Sequence, residues 1–263
     1  SQRLFFSGTF GGSEDHTAIM SSVSRKLKLY SYCPTRHLRT VSWPSDLVLV
    51  VCVSGAKAEK TGGAMKDYNN AAFLSFAAAR GLVKRGFEAN TTFVKNRPNL
   101  AEIVNSSLTK DRSRDALSAC FQKLRDELAK VDDGKTIRIL DEKSSFCPAG
   151  SLVRRFTQFF WESEYILPEL ADAFSKDDRK RIASLLEDSH ERTVNELLNT
   201  IPETAWLPRE ARRLGAVGAT AFGAGFGGSC YAVVKSSESS TFLESWRSSY
   251  HKKFPKWIKT SSF

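Results

Sequence analysis

The sequence predicts an α+β fold, and three observations support this prediction. The apolar, mostly β-branched run Leu47–Val53 is too short to cross a bilayer and is typical of a buried strand. An alanine-rich segment from about Gly63 to Lys84 carries apolar residues at helical spacing. Near the carboxyl end, a glycine-rich loop leads into a predicted strand, Cys230–Lys235, and then into a predicted helix, Thr241–Tyr250.

The remaining elements follow from the same patterns. Short strands are expected at Tyr30–Tyr32 and Val41–Trp43, on either side of a turn at Pro34, and at Ile137–Leu140. Helices are expected at Ala101–Asn105, Arg114–Lys130, Leu152–Phe174, Arg179–Leu198 and Arg209–Leu214. Pro202 and Pro208 are expected to lie in a loop. The order of strand, helix pair, strand and helix near the end indicates one half of a ferredoxin-like fold.

Composition restricts the class of protein. The 263 residues suffice for one large domain or two modest ones, and 41% hydrophobic with 26% charged residues is typical of a soluble globular protein. The five cysteines are dispersed and form no CxxC pair, which predicts reduced thiols rather than a disulfide framework or a zinc site. No charged-then-apolar leader opens the sequence, so we expect a cytoplasmic protein without a signal peptide or a membrane anchor.

The formal net charge of +10 raises nucleic acid as a partner. The basic residues are scattered among acidic and serine-rich stretches, and no zinc-finger or RNA-stacking signature accompanies them. We therefore expect a solvated basic surface on a monomer that binds small molecules. A basic nucleic-acid-binding module is kept as a third hypothesis, with salt-dependent affinity as its signature.

A first candidate site lies in the segment 11–16, where Gly12 precedes Asp15 by three positions. Glycines let the backbone approach a ligand closely, and a carboxylate in a closed cleft can orient or deprotonate an attacking hydroxyl. The alternative is a plain helix start, with Ser13 as N-cap and Glu14 and Asp15 in the first turn.

A second candidate runs from Ser54 through a polar turn to Asn69, where Tyr68 offers a hydroxyl and a ring face to a sugar. An amphipathic tyrosine on a helix surface is the alternative. A third candidate is the glycine-rich loop Gly223–Gly228, whose backbone N–H groups can cradle phosphates. An ordinary turn is its alternative, and the strand that follows excludes a dinucleotide-binding fingerprint.

Together and in this order, the three segments resemble the galactokinase branch of the GHMP kinases. Asp15 falls on the catalytic aspartate of the family, Tyr68 matches its sugar-contacting tyrosine, and the loop matches its third motif. The resemblance implies a two-lobed α+β fold with a ferredoxin-like C-terminal lobe and an active site in the cleft between the lobes. The lobes would be residues 1–55, as the remaining part of the N-terminal lobe, and residues 56–263.

The resemblance further implies phosphoryl transfer from ATP with Mg²⁺ to the anomeric hydroxyl of galactose or a related monosaccharide. Asp15 would be catalytic, and Gly12, Asp15 and Tyr68 would bind the sugar. The nucleotide would be bound by Gly223, Gly225, Gly227 and Gly228, and no protein ligand of a metal is expected.

The family's serine-rich phosphate loop, which lies upstream of the aspartate, has no counterpart in the 263 residues. We therefore expect the N-terminal lobe to be incomplete and these residues alone to be inactive. The alternative function is a catalytically inactive, galactokinase-derived protein that binds sugar or nucleotide or has a regulatory role.

Overall fold

The computed structural model describes residues 14–32, 34–58, 65–89, 98–140, 147–223 and 225–263. The strands are β1 (Lys26–Tyr32), β2 (Thr35–Ser42), β3 (Leu47–Val53), β4 (Gly218–Ala221) and β5 (Ser229–Lys235). The α-helices are α1 (Glu14–Ser21), α2 (Met65–Lys84), α3 (Leu100–Ser107), α4 (Arg114–Ala129), α5 (Gly134–Leu140), α6 (Ser151–Trp161), α7 (Leu167–Ser175), α8 (Arg179–Arg192), α9 (Pro202–Arg213) and α10 (Ser239–Lys253). The predicted α+β class is confirmed.

The described residues form two compact units that alternate along the sequence. The first contains residues 30–32, 34–37, 66–89, 98–140 and 147–167, and it is mainly helical. The second contains residues 14–29, 38–58, 65, 168–223 and 225–263, and it includes β3, β4 and β5. The expected lobe boundary between residues 55 and 56 stays a prediction.

The second unit contains an antiparallel sheet in the order β4-β5-β3. Its register places Leu47 opposite Lys235 and Val53 opposite Ser229, and an isolated antiparallel bridge joins Val53 to Ser262 on the other side of β3. Helices α8 and α9 precede β4, and α10 follows β5. With Ser262 in the place of a fourth strand, this is the strand order and connectivity of a ferredoxin-like sheet.

One face of this sheet carries the core of the second unit. Alternation in β3 turns Val50 and Cys52 inward, while Leu49, Val51 and Val53 stay partly exposed. Helix α10 supplies side chains at intervals of four residues, which lie on one helical face; these are Phe242, Trp246 and Tyr250.

The opposite face of the sheet meets α8 at β4. A Cβ atom at Gly218 would lie 2.5 Å from the side chain of Leu186. A larger residue at this position would therefore require at least the Leu186 side chain to move.

The first unit is built around α4 and α6, which pack against each other through stacked Phe121 and Phe156 rings 5.7 Å apart. Asp132 begins α6 from outside the helix, since its carboxylate accepts the amides of Leu152 at 3.0 Å and Val153 at 2.8 Å. Gly150 holds the N-cap position with a φ of +85° and has no side chain to cap the helix. The buried Asp132 carboxylate, 20 residues before Leu152 in the sequence, thus caps this helix in place of an N-cap side chain.

Two predicted elements are wrong. Ile137–Leu140 is the second half of helix α5, because Asp133 caps that helix by accepting the amides of Lys135 and Thr136. The predicted Pro202–Pro208 loop is the first half of α9, where Pro202 occupies a first-turn position.

Pro208 lies inside α9 and cannot donate to the carbonyl of Thr204. The Cys230 thiol donates to that carbonyl instead, over 3.7 Å.

The two long predicted helices each contain a π-helical turn, one in the middle and one at the end. Glu162–Ile166 separates α6 from α7, and Thr193–Leu197 extends α8. The second π turn ends at Leu198, whose φ of +59° is left-handed. Such turns insert a residue into the helix ladder without changing the apolar periodicity much, so a pattern of apolar residues does not reveal them.

Of the helices that the structure describes, none has both the length and the apolar character that a bilayer crossing requires.

Candidate active site

The glycine-rich loop joins β4 to β5 in the second unit. Gly223 and Gly225 both have a φ of +81°, Gly227 has a φ of +133° and Gly228 one of +82°. Phe226 between them is also left-handed, with a φ of +58°. These angles strain any residue with a Cβ, which explains the clustering of glycine better than a flexible linker would.

The carboxyl end of the loop is bound to the turn that follows β3. The Gly228 amide donates to the carbonyl of Ala56 at 2.8 Å, and the Ser54 amide donates to the carbonyl of Gly228 at 2.9 Å. The Ser54 hydroxyl donates to the same Gly228 carbonyl at 2.7 Å. The second and third segments singled out in the sequence are therefore in direct contact at this point.

Two of the glycines are required by close approach as well as by φ. A Cβ at Gly225 would lie 2.1 Å from the carbonyl oxygen of Asn199, and one at Gly227 would lie 2.8 Å from that of Ala56. The Phe226 amide donates to the same Asn199 carbonyl at 2.5 Å. The loop is consequently held on both sides, by residues 54–57 and by the segment after the π turn.

A cavity of about 90 Å³ lies under the loop, in the second unit. Its lining combines the glycines with polar side chains from the π turn and from the start of α9, among them Thr193, Asn199 and Thr204. Sequence reasoning missed this wall of the site, because nothing in the pattern of residues 193–204 revealed the π turn.

Within the described residues, the N–H groups of Gly223, Gly225 and Gly227 have no acceptor. Backbone N–H groups in a turn conformation are potential hydrogen-bond donors to an anion. The arrangement can therefore bind a phosphate group through the backbone.

The other predicted site residues are distributed as follows. Asp15 lies in the first turn of α1, in the second unit, with an exposed side chain. Tyr68 lies in the first turn of α2, in the first unit, and is half-buried. Gly12 lies outside the described residues. Both the catalytic role of Asp15 and the sugar contacts of Gly12 and Tyr68 stay predictions.

His190 is a buried residue that links the two helices beside the cavity. Its Nε2 lies 3.1 Å from the carbonyl oxygen of Ala205 in α9, and since a carbonyl only accepts, Nε2 carries the proton. Burial lowers the pKa of the imidazole, which keeps the ring neutral. The Nδ1 atom has no partner within the part of the chain that the structure describes.

A magnesium ion would have few protein ligands here. Among the described residues, no group of three or more histidine, cysteine, aspartate or glutamate side chains is arranged to hold a metal. Mg²⁺ usually keeps several waters and binds through one or two carboxylates together with substrate phosphates.

Comparison with known proteins finds a family model and solved structures that match this chain. Residues 170–252, which include the loop and its flanking strands, match the family model described as GHMP kinases C terminal. A search of curated protein sequences finds no match. Among solved structures, 62 chains match.

One of these is the crystal structure of Lactococcus lactis galactokinase complexed with galactose, with a TM-score of 0.69 and 18% sequence identity. The alignment covers 97% of this chain and 54% of that chain, so this chain spans about half the length of the galactokinase. At this identity the likeness shows the fold. Residues 170–252 thus match the C-terminal domain of the GHMP kinases, and the chain has the fold of the part of the galactokinase that it covers.

Proposed function

We propose that the chain serves ATP-dependent phosphoryl transfer to the anomeric hydroxyl of galactose or a related monosaccharide. The observation that carries the proposal is the glycine loop of the segment that matches the GHMP kinase C-terminal domain, with three amides that have no acceptor among the described residues. Phosphoryl transfer needs positioned donors for phosphate oxygens more than it needs covalent chemistry from the protein. The loop supplies donors of this kind without the entropy loss of ordering a flexible segment.

Each predicted residue has one role in this proposal. The amides of Gly223, Gly225 and Gly227 bind nucleotide phosphate, while Gly228 fixes the end of the loop. Asp15 orients the sugar hydroxyl and accepts its proton, and the Gly12 backbone and the Tyr68 hydroxyl hold the sugar. Mg²⁺ bound with ATP would neutralise part of the phosphate charge, and any carboxylate ligand would come from one or two side chains only.

The central test is Asp15→Asn in the full-length protein, because we expect the 263 residues alone to be inactive. We expect the rate of ADP release with ATP, Mg²⁺ and the best monosaccharide of a broad panel to fall by about 10²- to 10⁴-fold, which is the usual contribution of a positioned acid–base group. Nucleotide affinity should change little, because Asp15 acts on the sugar.

Glu14→Gln is the matched control, since Glu14 is the neighbouring exposed carboxylate in the first turn of α1. Its turnover should stay near that of the wild type. Equal losses in the two variants would mean that the charge of the helix start matters rather than the Asp15 carboxylate, and this result would remove Asp15 from the catalytic role.

One observation favours a second candidate, a catalytically inactive protein that binds nucleotide or sugar. Helix α1 buries none of its residues, and the Asp15 side chain is exposed rather than enclosed in a cleft. The two functions differ in a simple way: the inactive protein binds ATP or sugar in a thermal-shift screen but releases no ADP with any sugar. A chain that neither binds nor turns over these ligands would contradict both.

A further inference from the structure

We propose that Ser54 and Tyr250 are positioning residues that set the conformation of the glycine loop before a ligand binds. The inference rests on the proposed function for its consequence, which is nucleotide affinity. Its structural part concerns the loop alone and can be measured without any ligand. Neither residue is itself assigned a contact to phosphate or to sugar in the proposed function.

The first step is the double contact of Ser54 with the loop. Its amide and its hydroxyl both donate to the Gly228 carbonyl, at 2.9 Å and 2.7 Å. The side chain is completely buried, so no water replaces the hydroxyl if it is removed. Two donors on one carbonyl oxygen fix the orientation of the peptide group between Gly228 and Ser229.

The second step is the contact in the reverse direction. The Gly228 amide donates to Ala56 at 2.8 Å, which fixes the preceding peptide group as well. Gly227 lies against Ala56 and Lys57 so closely that a Cβ would be 2.8 Å and 3.0 Å from their carbonyl oxygens. The turn after β3 therefore determines the placement of Gly227, whose amide is one of the three candidate phosphate donors.

The third step connects the turn to the core. The Tyr250 hydroxyl donates to the Ser54 carbonyl at 2.7 Å, and Tyr250 itself is fully buried. Its ring contacts Phe254 and Phe263, with centroids 5.2 Å and 5.7 Å away. Burial raises the pKa of the phenol, so it stays a protonated donor at any physiological pH.

The consequence is pre-organisation. Glycine has the largest backbone freedom of any residue, and a loop that must be ordered during binding loses affinity by the amount of that ordering. Tyr250, Ser54 and Gly228 form one chain of hydrogen bonds, so the end of the loop is already ordered in the folded protein before a ligand binds. Removing either hydroxyl should therefore weaken nucleotide binding without touching a ligand contact.

The test uses Ser54→Ala, Tyr250→Phe and the double variant in the full chain. Hydrogen exchange of the Gly228 amide is followed by NMR in the absence of ligand, and binding of a fluorescent ATP analogue is titrated with Mg²⁺ present. We expect faster exchange and a Kd raised about three- to tenfold in each single variant, the range for loss of one net hydrogen bond. The double variant should change less than the product of the two single changes, because the hydroxyls act in one chain.

Ser249→Ala is the matched control. Ser249 precedes Tyr250 in α10 and its hydroxyl contacts Glu210, away from the loop. This variant should lose some thermal stability while its Gly228 exchange and its Kd stay at the wild-type values. If Ser54→Ala does not fold, Tyr250→Phe alone decides, because it keeps the aromatic packing.

The outcomes separate the two proposals. Unchanged exchange in a folded Ser54→Ala or Tyr250→Phe variant overturns the inference, and so does faster exchange with an unchanged Kd, which would leave these residues a purely structural role. If the wild type binds no nucleotide, the proposed function fails; the exchange measurement then still decides whether Ser54 and Tyr250 set the loop.

Discussion

At the scale of single residues, Gly223 and Gly225 form a natural comparison. Both have a φ of +81°, but a Cβ at Gly223 would meet no atom of the described residues within 4 Å, whereas one at Gly225 would lie 2.1 Å from the Asn199 carbonyl oxygen. The first glycine is thus required by backbone angle alone, and the second by angle and by space.

Alanine substitution separates these two effects. We expect Gly223→Ala to lower the free energy of unfolding by about 1–2 kcal/mol, the cost of a left-handed residue with a Cβ. Gly225→Ala should lose roughly 1–3 kcal/mol more, because the Asn199 segment must move. Urea denaturation of both variants measures the difference. Equal midpoints would show that the contact with Asn199 relaxes freely.

His190 predicts a pH dependence of stability. Its folded pKa lies below the ordinary value of 6.5, so between these two values the unfolded chain binds more protons than the folded chain. The stability from neutral, buried His190 is fully present above about pH 6.5 and is lost as the pH falls toward the lower folded pKa.

The variant His190→Gln keeps an N–H donor for Ala205 and cannot titrate. We expect its urea midpoint to fall less between pH 7 and pH 5 than that of the wild type. His37→Gln, at an exposed position, is the control and should follow the wild-type pH profile. Parallel profiles for all three proteins would mean that His190 does not contribute to acid sensitivity.

At the scale of elements, helix α6 depends on a carboxylate that lies outside it. Asp132→Ala removes the acceptor of the Leu152 and Val153 amides, and we expect a loss of about 0.5–2 kcal/mol in the free energy of unfolding. Hydrogen exchange at these two amides should quicken more than elsewhere in the first unit. Asp126→Ala, at an exposed position in α4, should leave them unchanged. Uniformly faster exchange would argue against a local capping role.

The elements also show what sequence patterns can and cannot predict. Strand β3 was predicted within a few residues because it is an uninterrupted apolar run, although that run does not reveal that Leu49, Val51 and Val53 stay partly exposed. Helices α2 and α10 were predicted within a few residues because their apolar residues recur at helical spacing. The strand predicted at Ile137–Leu140 was wrong, since the apolar residues there are too few to reveal a period and the Asp133 cap was not recognised. The predicted helix was shorter than α9 because both Pro202 and Pro208 were interpreted as loop signals. Pro202 instead favours a helix start. Pro208 has no N–H to donate to the Thr204 carbonyl, and the Cys230 thiol donates to that carbonyl instead.

At the scale of the whole molecule, two core thiols report on global unfolding. Cys52 and Cys230 lie opposite each other across β3 and β5, both fully buried, and burial raises the pKa of each thiol. A buried thiol with a raised pKa reacts poorly. We expect alkylation of both cysteines, read by mass spectrometry, to proceed only through unfolding and to quicken with urea as global unfolding does. Labelling at a rate independent of urea would indicate local opening of the sheet.

The candidate site was predictable in its parts but not as an assembly. The loop Gly223–Gly228 and the segment after Ser54 were each identified from composition, since glycine clusters and polar turns are local signals. Their direct contact depends on the pairing of β3 with β5 across some 170 residues, and one sequence does not fix that register. The roles of Asp15 and Tyr68 are predictions that rest on family resemblance.

The missing side chain at position 218 has an effect beyond packing. The Leu186 side chain of α8 occupies the space that a Cβ at Gly218 would need, so this helix packs directly against the strand backbone there. Strand β4 is four residues long and leads into the glycine loop that contains Gly223. We therefore expect a side chain at position 218 to displace the Leu186 side chain and to disturb the strand from which that loop begins.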